Sequence, residues 1–166
     1  MNIFYTDHDP SVAAQSLPDK HIVKMPVEAV QMLVSACVRH HVQPGVITKA
    51  GTIHKGGYHR HPSTVWAGDN RSNFEWTLLW GLALCREYTR RYGKVHFAQG
   101  QLDRLVRSTS NIPEGQVTSP ALAMPDECKC SDPVESYRNC IRAKVAEKPA
   151  SFVWAKSTSA PEWLYA

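Results

Sequence analysis

The stretch from Asp19 to His41 constrains the fold most, because it is apolar around most of its circumference when wound as an α-helix. Only one narrow stripe of this predicted helix is polar, and it consists of His21, Lys24, Glu28, Gln31 and Ser35, with Lys20 at its edge. A helix that is apolar on most sides is buried on most sides. The stripe must therefore face either water or a cleft. Pro26 lacks an N–H group, so it predicts a kink or a split in the helix.

The rest of the chain also follows a helical period, and strand patterns are nearly absent. The sequence therefore predicts an all-α, compact single-domain helical bundle over residues 1–166, with two long central helices. Further helices are expected at about 10–16, 72–92, 97–108 and 132–148. Asp9 is the predicted N-cap of the first, and Ser72 with Glu75 form a capping box for the second long helix, which Gly93 ends. Irregular segments are predicted at about 42–71, rich in Gly and His, and at 109–131, followed by an aromatic tail at 149–166.

The composition narrows the class of protein. A chain of 166 residues with 43% apolar and 20% charged residues suits one globular domain rather than a disordered chain. No apolar run approaches the roughly 18–20 residues that a membrane span needs. The first residues are acidic where a signal peptide is basic, and the 5 cysteines are scattered. We expect a cytoplasmic monomer with no membrane partner and no cofactor.

The net charge of +4 is distributed unevenly along the chain. Residues 20–107 carry 13 Lys and Arg against 5 acidic residues, whereas the flanking segments are acidic on balance. Such a basic block is typical of proteins that bind a polyanion, and it is equally compatible with an ordinary solvated surface.

The polar stripe of the first long helix permits two interpretations. A partly buried Glu28 beside His21 and Lys24 forms a plausible acid–base site. Alternatively, Lys24 and Glu28 form a simple surface pair four residues apart.

Three further groups of residues suggest ligands. The segment 56–62 combines glycines with His59, Arg60 and His61, which suits phosphate contacts. A zinc site built from His54, His59 and His61 is a weaker alternative, and Cys128 with Cys130 lacks a second pair at zinc spacing. Tail aromatics suit either base stacking or packing on the body, and they are Trp154, Trp163 and Tyr165, near Lys156.

Several short motifs occur in an order that resembles a known family. A Met-x-Ile start leads to Leu17-Pro18-Asp19-Lys20-His21-Ile22, and Glu28 follows seven residues after His21. The later motifs are Trp66-Ala67-Gly68, Met124-Pro125-Asp126-Glu127, a helix with Arg142 and Lys144, then Lys148-Pro149 and the ending Leu164-Tyr165-Ala166. This order resembles the small phage pyrimidine-dimer DNA glycosylases of the endonuclease V type. It also resembles a widespread group of uncharacterised phage proteins.

The resemblance implies a compact all-α fold and a DNA glycosylase with AP-lyase activity on damaged or modified bases. In that family the N-terminal α-amine attacks C1′ of the damaged nucleotide, and a glutamate on the first long helix is essential. The matching residues here are Met1 for the amine, Glu28 for the glutamate and His21 for a histidine seven residues before it. The resemblance further implies double-stranded DNA as partner. The expected DNA contacts are Lys20, Lys24, Gln31, His59, Arg60, His61 and Arg71, and no metal is expected.

Two other hypotheses remain open from the sequence. The chain is compatible with a non-catalytic helical DNA-binding protein, which would show steep salt dependence without turnover. It is also compatible with a metal-dependent nuclease or nucleotide-processing enzyme that uses the His-rich loop.

Overall fold

A computed structural model describes residues 1–155 and 158–166, and every regular element in these residues is helical. The α-helices are α1 (Pro10–Gln15), α2 (Asp19–Arg39), α3 (Pro62–Ala67), α4 (Arg71–Tyr92), α5 (Gln99–Leu105) and α6 (Pro133–Glu147). Short 3-10 turns lie at Asp126–Cys128, Pro149–Ser151 and Glu162–Leu164. An isolated bridge joins Ile47 to Ile53. The predicted all-α fold is confirmed. Lys156 lies outside the described residues, as does that part of the predicted tail.

The two long helices α2 and α4 pack against each other and form the centre of the fold. Gly81 makes this approach possible, because a Cβ atom there would lie 3.0 Å from the Cβ of Ala29. Helix α1 covers α4, and α3 covers α2. Large buried side chains, among them Trp80, Phe74 and Tyr137, fill the core between them.

Helix α2 runs without interruption through Pro26, so of the two predicted outcomes, a kink or a split, the split does not occur. Proline removes one backbone hydrogen bond, but apolar side chains on both sides of Pro26 are buried and hold the helix in place. By length and hydropathy this helix meets the criterion for a membrane span, contrary to the expectation that no apolar run approaches that length. However, 72% of its most apolar window is buried inside the fold, as in the core helix of a globular domain.

The structure corrects three other element predictions. Helix α3 occupies part of the segment predicted as irregular (42–71), because Pro62 opens the helix and the His61 ring accepts a hydrogen bond from Ser63 N. Helix α4 is capped by Asn70 rather than by a box at Ser72, whose hydroxyl instead donates to Gly115 O. Helix α5 is shorter than predicted. The caps at Asp9 and Gly93 are as predicted, and Asp132 caps α6 near its predicted start.

Candidate active site

The extended N-terminal segment is buried and brings the chain's first nitrogen to helix α2. The side chain of Asn2 fixes its position: its Nδ2 donates to Ala123 O at 3.1 Å, and its Oδ1 accepts from Ile3 N at 2.8 Å. The Met1 thioether is also seated, since Thr64 Oγ1 donates to Met1 Sδ at 3.2 Å. These contacts determine where the amine lies, and none of them uses the amine itself.

Glu28 receives positive groups and donors on both carboxylate oxygens. The Met1 amine nitrogen lies 3.6 Å from Oε2, and the backbone N–H of Asn2 donates to the same oxygen at 3.2 Å. Lys24 Nζ lies 3.1 Å from Oε1, one helical turn away. Glu28 is only 7% exposed, so the pairing with Lys24 is not the solvated surface stripe of the alternative interpretation. The polar stripe of α2 faces a cleft.

A cavity of about 390 Å³ opens on one side of the Met1–Glu28 pair. Three lysines line it: Lys20 and Lys24 from α2 and Lys144 from α6. Among residues 1–155 and 158–166, Glu28 is the only acidic residue that lines this cavity. Such a concentration of cations around one carboxylate suits a phosphate-bearing ligand.

His21 lies on the wall of this larger cavity between two aromatic rings. Its ring centroid is 4.4 Å from that of Phe4 and 5.6 Å from that of Phe152. Burial, helped by the charges of the nearby lysines, lowers the pKa of His21 to about 3. The ring is therefore neutral at physiological pH. Its Nδ1 is buried and has no hydrogen-bond partner among the described residues.

A second cavity of about 300 Å³ opens on the other side of the same pair. It shares Met1, Lys24 and Glu28 with the larger cavity, and its remaining walls are Val27, Gln31 and Tyr58. The carboxylate and the amine thus border both cavities, and the residues that the second cavity does not share with the first are uncharged.

The structure brings together most of the predicted site residues. Met1, Lys20, His21, Lys24 and Glu28 line the larger cavity, and Gln31 lines the smaller one.

The loop and α4 residues are placed differently. His61 caps α3 and lies near the pair: burial lowers its pKa, the Met1 amine adds to this effect, and Glu28 opposes it. His59 and Arg60 are exposed on the loop and line neither cavity. Arg71 also lines neither, and its guanidinium pairs with Glu114.

Sequence reasoning did not assign eight of the residues that line the two cavities: Asn2, Phe4, Met25, Val27, Tyr58, Ala123, Lys144 and Phe152. Lys144 carried a signal as part of the motif helix near the C-terminus, and Tyr58 lies within the segment 56–62 that was predicted to contact phosphate. The others are ordinary core or loop residues in the sequence, and only the chain's path brings those outside α2 to this helix.

The metal alternatives find no support in the geometry. Within residues 1–155 and 158–166, no group of three or more His, Cys, Asp or Glu side chains is placed to hold a metal ion. His54 and His61 each use Nδ1 to accept a local backbone hydrogen bond. Cys128 and Cys130 are free thiols.

The tail lies partly against the body. Trp154 Nε1 donates to Ser16 O at 3.0 Å, and Trp163 packs against the core, whereas Tyr165 is exposed. Packing therefore accounts for both tryptophans.

Comparison with known proteins gives one match. The profile of the family described as pyrimidine dimer DNA glycosylase matches residues 1–99. The matched range includes α1 to α4 and the walls of both cavities except Ala123, Lys144 and Phe152. No curated protein and no solved structure matches the chain.

Proposed function

The chain belongs to the pyrimidine dimer DNA glycosylase family, and on the geometry of its site we propose that it excises bases and nicks the strand through an imine on the Met1 amine. The family makes it a DNA-repair glycosylase with DNA as substrate. The observation that carries the finer proposal is the Met1 nitrogen, 3.6 Å from a buried Glu28 carboxylate between two cavities.

The α-amine is a suitable nucleophile because, unlike an ordinary lysine, α-amines are partly neutral near physiological pH. Its nitrogen forms a bond to C1′ while the bond from C1′ to the base breaks, and the base leaves with the electron pair and takes up a proton. Opening of the sugar ring then gives the imine. Loss of a C2′ proton expels the 3′ phosphate and nicks the strand, and water later releases the amine.

Glu28 handles the protons of these steps. Its Oε2 faces the attacking nitrogen, so it can accept a proton from the ammonium and return one to the opening sugar ring. Its charge also stabilises the cation that develops at C1′.

The cations of the larger cavity position the substrate. Lys20, Lys24 and Lys144 would contact the phosphates on either side of the attacked nucleotide, which must leave the stack to expose C1′. Neutral His21 can orient the sugar–phosphate by a hydrogen bond but does not act as a cationic acid. We further propose that Arg60 and His59 contact DNA outside the cavities, and that the protein acts as a monomer.

Borohydride trapping on a duplex with an aldehydic abasic site tests the nucleophile directly. We expect a covalent adduct, and peptide mapping should place it on Met1. Lys20→Gln, Lys24→Gln and Lys144→Gln are matched controls, since these amines line the same cavity; each variant should still give the adduct. Intact-mass analysis must first show that the chain begins with unblocked Met1. An adduct on a lysine, or an adduct that persists after selective acetylation of the N-terminus, would reject the proposal.

A further inference from the structure

The side chain of Met1 is buried, although the residue as a whole is not. The side chain is only 1% exposed and packs against the hydrophobic core, whereas the complete residue is half-buried. The open part of Met1 is therefore its backbone, which carries the α-amine. A chain terminus is ordinarily among the most mobile parts of a domain unless contacts tie it down. Here the side chain is tied down, and the nucleophile of the proposed reaction is left open to the cavities.

Thr64 of α3 makes the polar contact to this buried side chain. In α4 the hydroxyls of Thr77 and Thr89 donate to carbonyl groups four residues earlier, as threonines in helices commonly do. Thr64 Oγ1 instead donates to Met1 Sδ at 3.2 Å, and it makes no other hydrogen bond among the described residues. Thr64 is buried, and a buried hydroxyl without a partner is costly. The Met1 sulfur is therefore the atom that satisfies this hydroxyl.

The segment that follows Met1 is held by contacts of its own. Asn2 Nδ2 donates to Ala123 O at 3.1 Å. Phe4 has a φ of +41°, which is rare for a non-glycine residue, and Thr6 N donates back to Phe4 O at 2.8 Å, so the chain turns sharply there. These contacts fix residues 2–6 but not the bonds of Met1 itself. The Thr64–Met1 contact adds the restraint on the residue that bears the amine.

We propose that Thr64 is a positioning residue for the reaction: it holds the Met1 thioether, and the held side chain keeps the α-amine beside Glu28. This inference rests on the proposed function, in which the Met1 nitrogen is the nucleophile. That nitrogen lies 3.6 Å from Glu28 Oε2, and an amine already in place does not have to be ordered during the reaction. Proximity to the carboxylate does not by itself require methionine, because Asn2 N lies closer to Oε2, at 3.2 Å. The contact with Thr64 is what requires the thioether.

Thr64→Val tests the contact because it keeps the shape of the side chain and removes the hydroxyl. We expect single-turnover borohydride trapping on a saturating aldehydic abasic duplex to slow by roughly 2- to 10-fold, the effect of losing one hydrogen bond. Affinity for a non-cleavable abasic duplex should change by less than about 2-fold, because Thr64 lines neither cavity. Thr64→Ser keeps the hydroxyl and should trap near the wild-type rate. Thr77→Val removes a buried hydroxyl outside both cavities and should trap like wild type.

Changing the methionine itself should have a larger effect. Chains released from a cleavable N-terminal fusion allow any first residue. Met1→Ala keeps an α-amine but loses the buried side chain, so trapping should slow by roughly 10- to 100-fold, as it does for a misplaced reacting group. A chain that begins at Asn2 has its amine near Glu28 without the thioether, and it should be slow as well. Wild-type trapping by either chain would overturn the proposal.

A double-mutant cycle separates positioning from a structural role of Thr64 in α3. Met1→Leu keeps most of the bulk of the side chain and loses the sulfur. In the Met1→Leu chain, Thr64→Val should therefore slow trapping no further, because the contact that it removes is already absent. If Thr64→Val slows trapping equally in both chains, Thr64 does not act through the thioether and the proposal is wrong.

NMR of methyl-labelled methionine keeps this test independent of the proposed chemistry. The chain has 4 methionines, and comparison with Met1→Leu identifies the Met1 methyl signal. Thr64→Val should shift that signal, and Thr77→Val should leave it in place. If wild-type protein gives no adduct on abasic DNA, the imine mechanism fails, and the methyl signal still decides whether Thr64 holds Met1. A Met1 signal that Thr64→Val does not shift overturns the positioning role even where trapping succeeds.

Discussion

Glu28 and Glu87 are two buried carboxylates of similar exposure, 7% and 6%, and their surroundings differ in one respect. Glu87 is enclosed by protein. Arg90 Nη2 donates to it at 2.8 Å and Arg91 Nε at 3.1 Å. Burial raises the pKa of Glu87, but the hydrogen bonds from the two arginines outweigh it and keep the pKa below its ordinary value.

The guanidinium of Arg91 also donates hydrogen bonds to other parts of the chain. Its Nη1 donates to Leu17 O at 2.8 Å and to Asp19 Oδ1 at 3.0 Å, and its Nη2 donates to Gln15 O at 2.9 Å. This cluster ties the start of α2 and the end of α1 to α4. Four of the five N–H donors of Arg91 are thus occupied and its side chain is fully buried, so its role is structural.

The cations beside Glu28 differ from the arginines beside Glu87. The Met1 amine lies 3.6 Å away, the Lys24 side chain is 70% exposed, and the carboxylate faces a cavity on either side. The comparison teaches that burial beside positive charge does not by itself mark an active site. The features that we propose as marks of an active site are open space beside the carboxylate and nearby cations that no other partner holds.

The largest expected effect comes from removing the charge of Glu28. We expect Glu28→Gln to reduce strand nicking by roughly 10²- to 10⁴-fold, the usual contribution of a general acid–base group. The amide keeps the shape and can still accept from Asn2 N, so affinity for a non-cleavable abasic duplex should change little. Single-turnover nicking and anisotropy measure the two quantities.

Glu87→Gln is the matched control for that experiment. It changes a carboxylate of equal burial outside both cavities, so nicking per folded molecule should be retained while stability falls. Unchanged nicking by Glu28→Gln would contradict the role of this residue.

The second prediction concerns the enclosed cluster. Arg91→Met leaves the carboxylates of Asp19 and Glu87 without a shared partner, and breaking a buried ion pair in this way costs about 3–5 kcal/mol of unfolding free energy. Urea unfolding measures the loss. Arg107→Met, at an exposed position, should lie within about 0.5 kcal/mol of wild type. If Arg91→Met lost less than about 1 kcal/mol of unfolding free energy, the cluster around Glu87 would not have the stabilising role expected of it. If the folded variant failed to trap abasic DNA, the cluster would be needed for activity, as the Met1–Glu28 site is expected to be.

The sequence predicted those parts of this contrast that depend on local periodicity. The apolar circumference of α2 indicated that its stripe faces either water or a cleft, and the resemblance supplied the roles proposed for Met1 and Glu28. The cap of α4 was predicted two residues late because Ser72 has a good capping side chain, as does Asn70. In the structure the capping residue Asn70 lies close to Gly115, and this contact joins distant parts of the chain.

The remaining parts of the site depend on contacts between residues far apart in sequence. Asn2 reaches Ala123 across 121 positions, and this contact, which helps to place the amine, has no periodic signature. Lys144 and Phe152 reach the larger cavity from the C-terminal part of the chain. The subdivision into two cavities arises from the path of the loop before α3, which is irregular and was predicted as a phosphate-binding segment, with a zinc site as the weaker alternative.

The smallest expected effect concerns His21, on the wall of the larger cavity. Its Nδ1 is buried and has no hydrogen-bond partner among the described residues. Its pKa of about 3 in the folded protein lies below the ordinary value of 6.5 because of burial and the charges of Lys20, Lys144 and Lys24. As the pH falls below about 6.5, the unfolded chain binds a proton at His21 while the folded protein does not. The free energy of unfolding should then fall by up to ~1.4 kcal/mol per pH unit until about pH 3, with no contribution above neutral pH.

Urea unfolding of wild type and His21→Gln at pH 7, 6 and 5 isolates this contribution. Glu87, with its lowered pKa, also loses stabilising charge in acid, but it does so below its ordinary pKa of 4.5 and equally in both proteins. The stability difference between the proteins should therefore shift in favour of His21→Gln as the pH falls. Parallel curves over this range would mean that His21 takes up its proton in the folded protein, and that the larger cavity solvates the ring as well as water does.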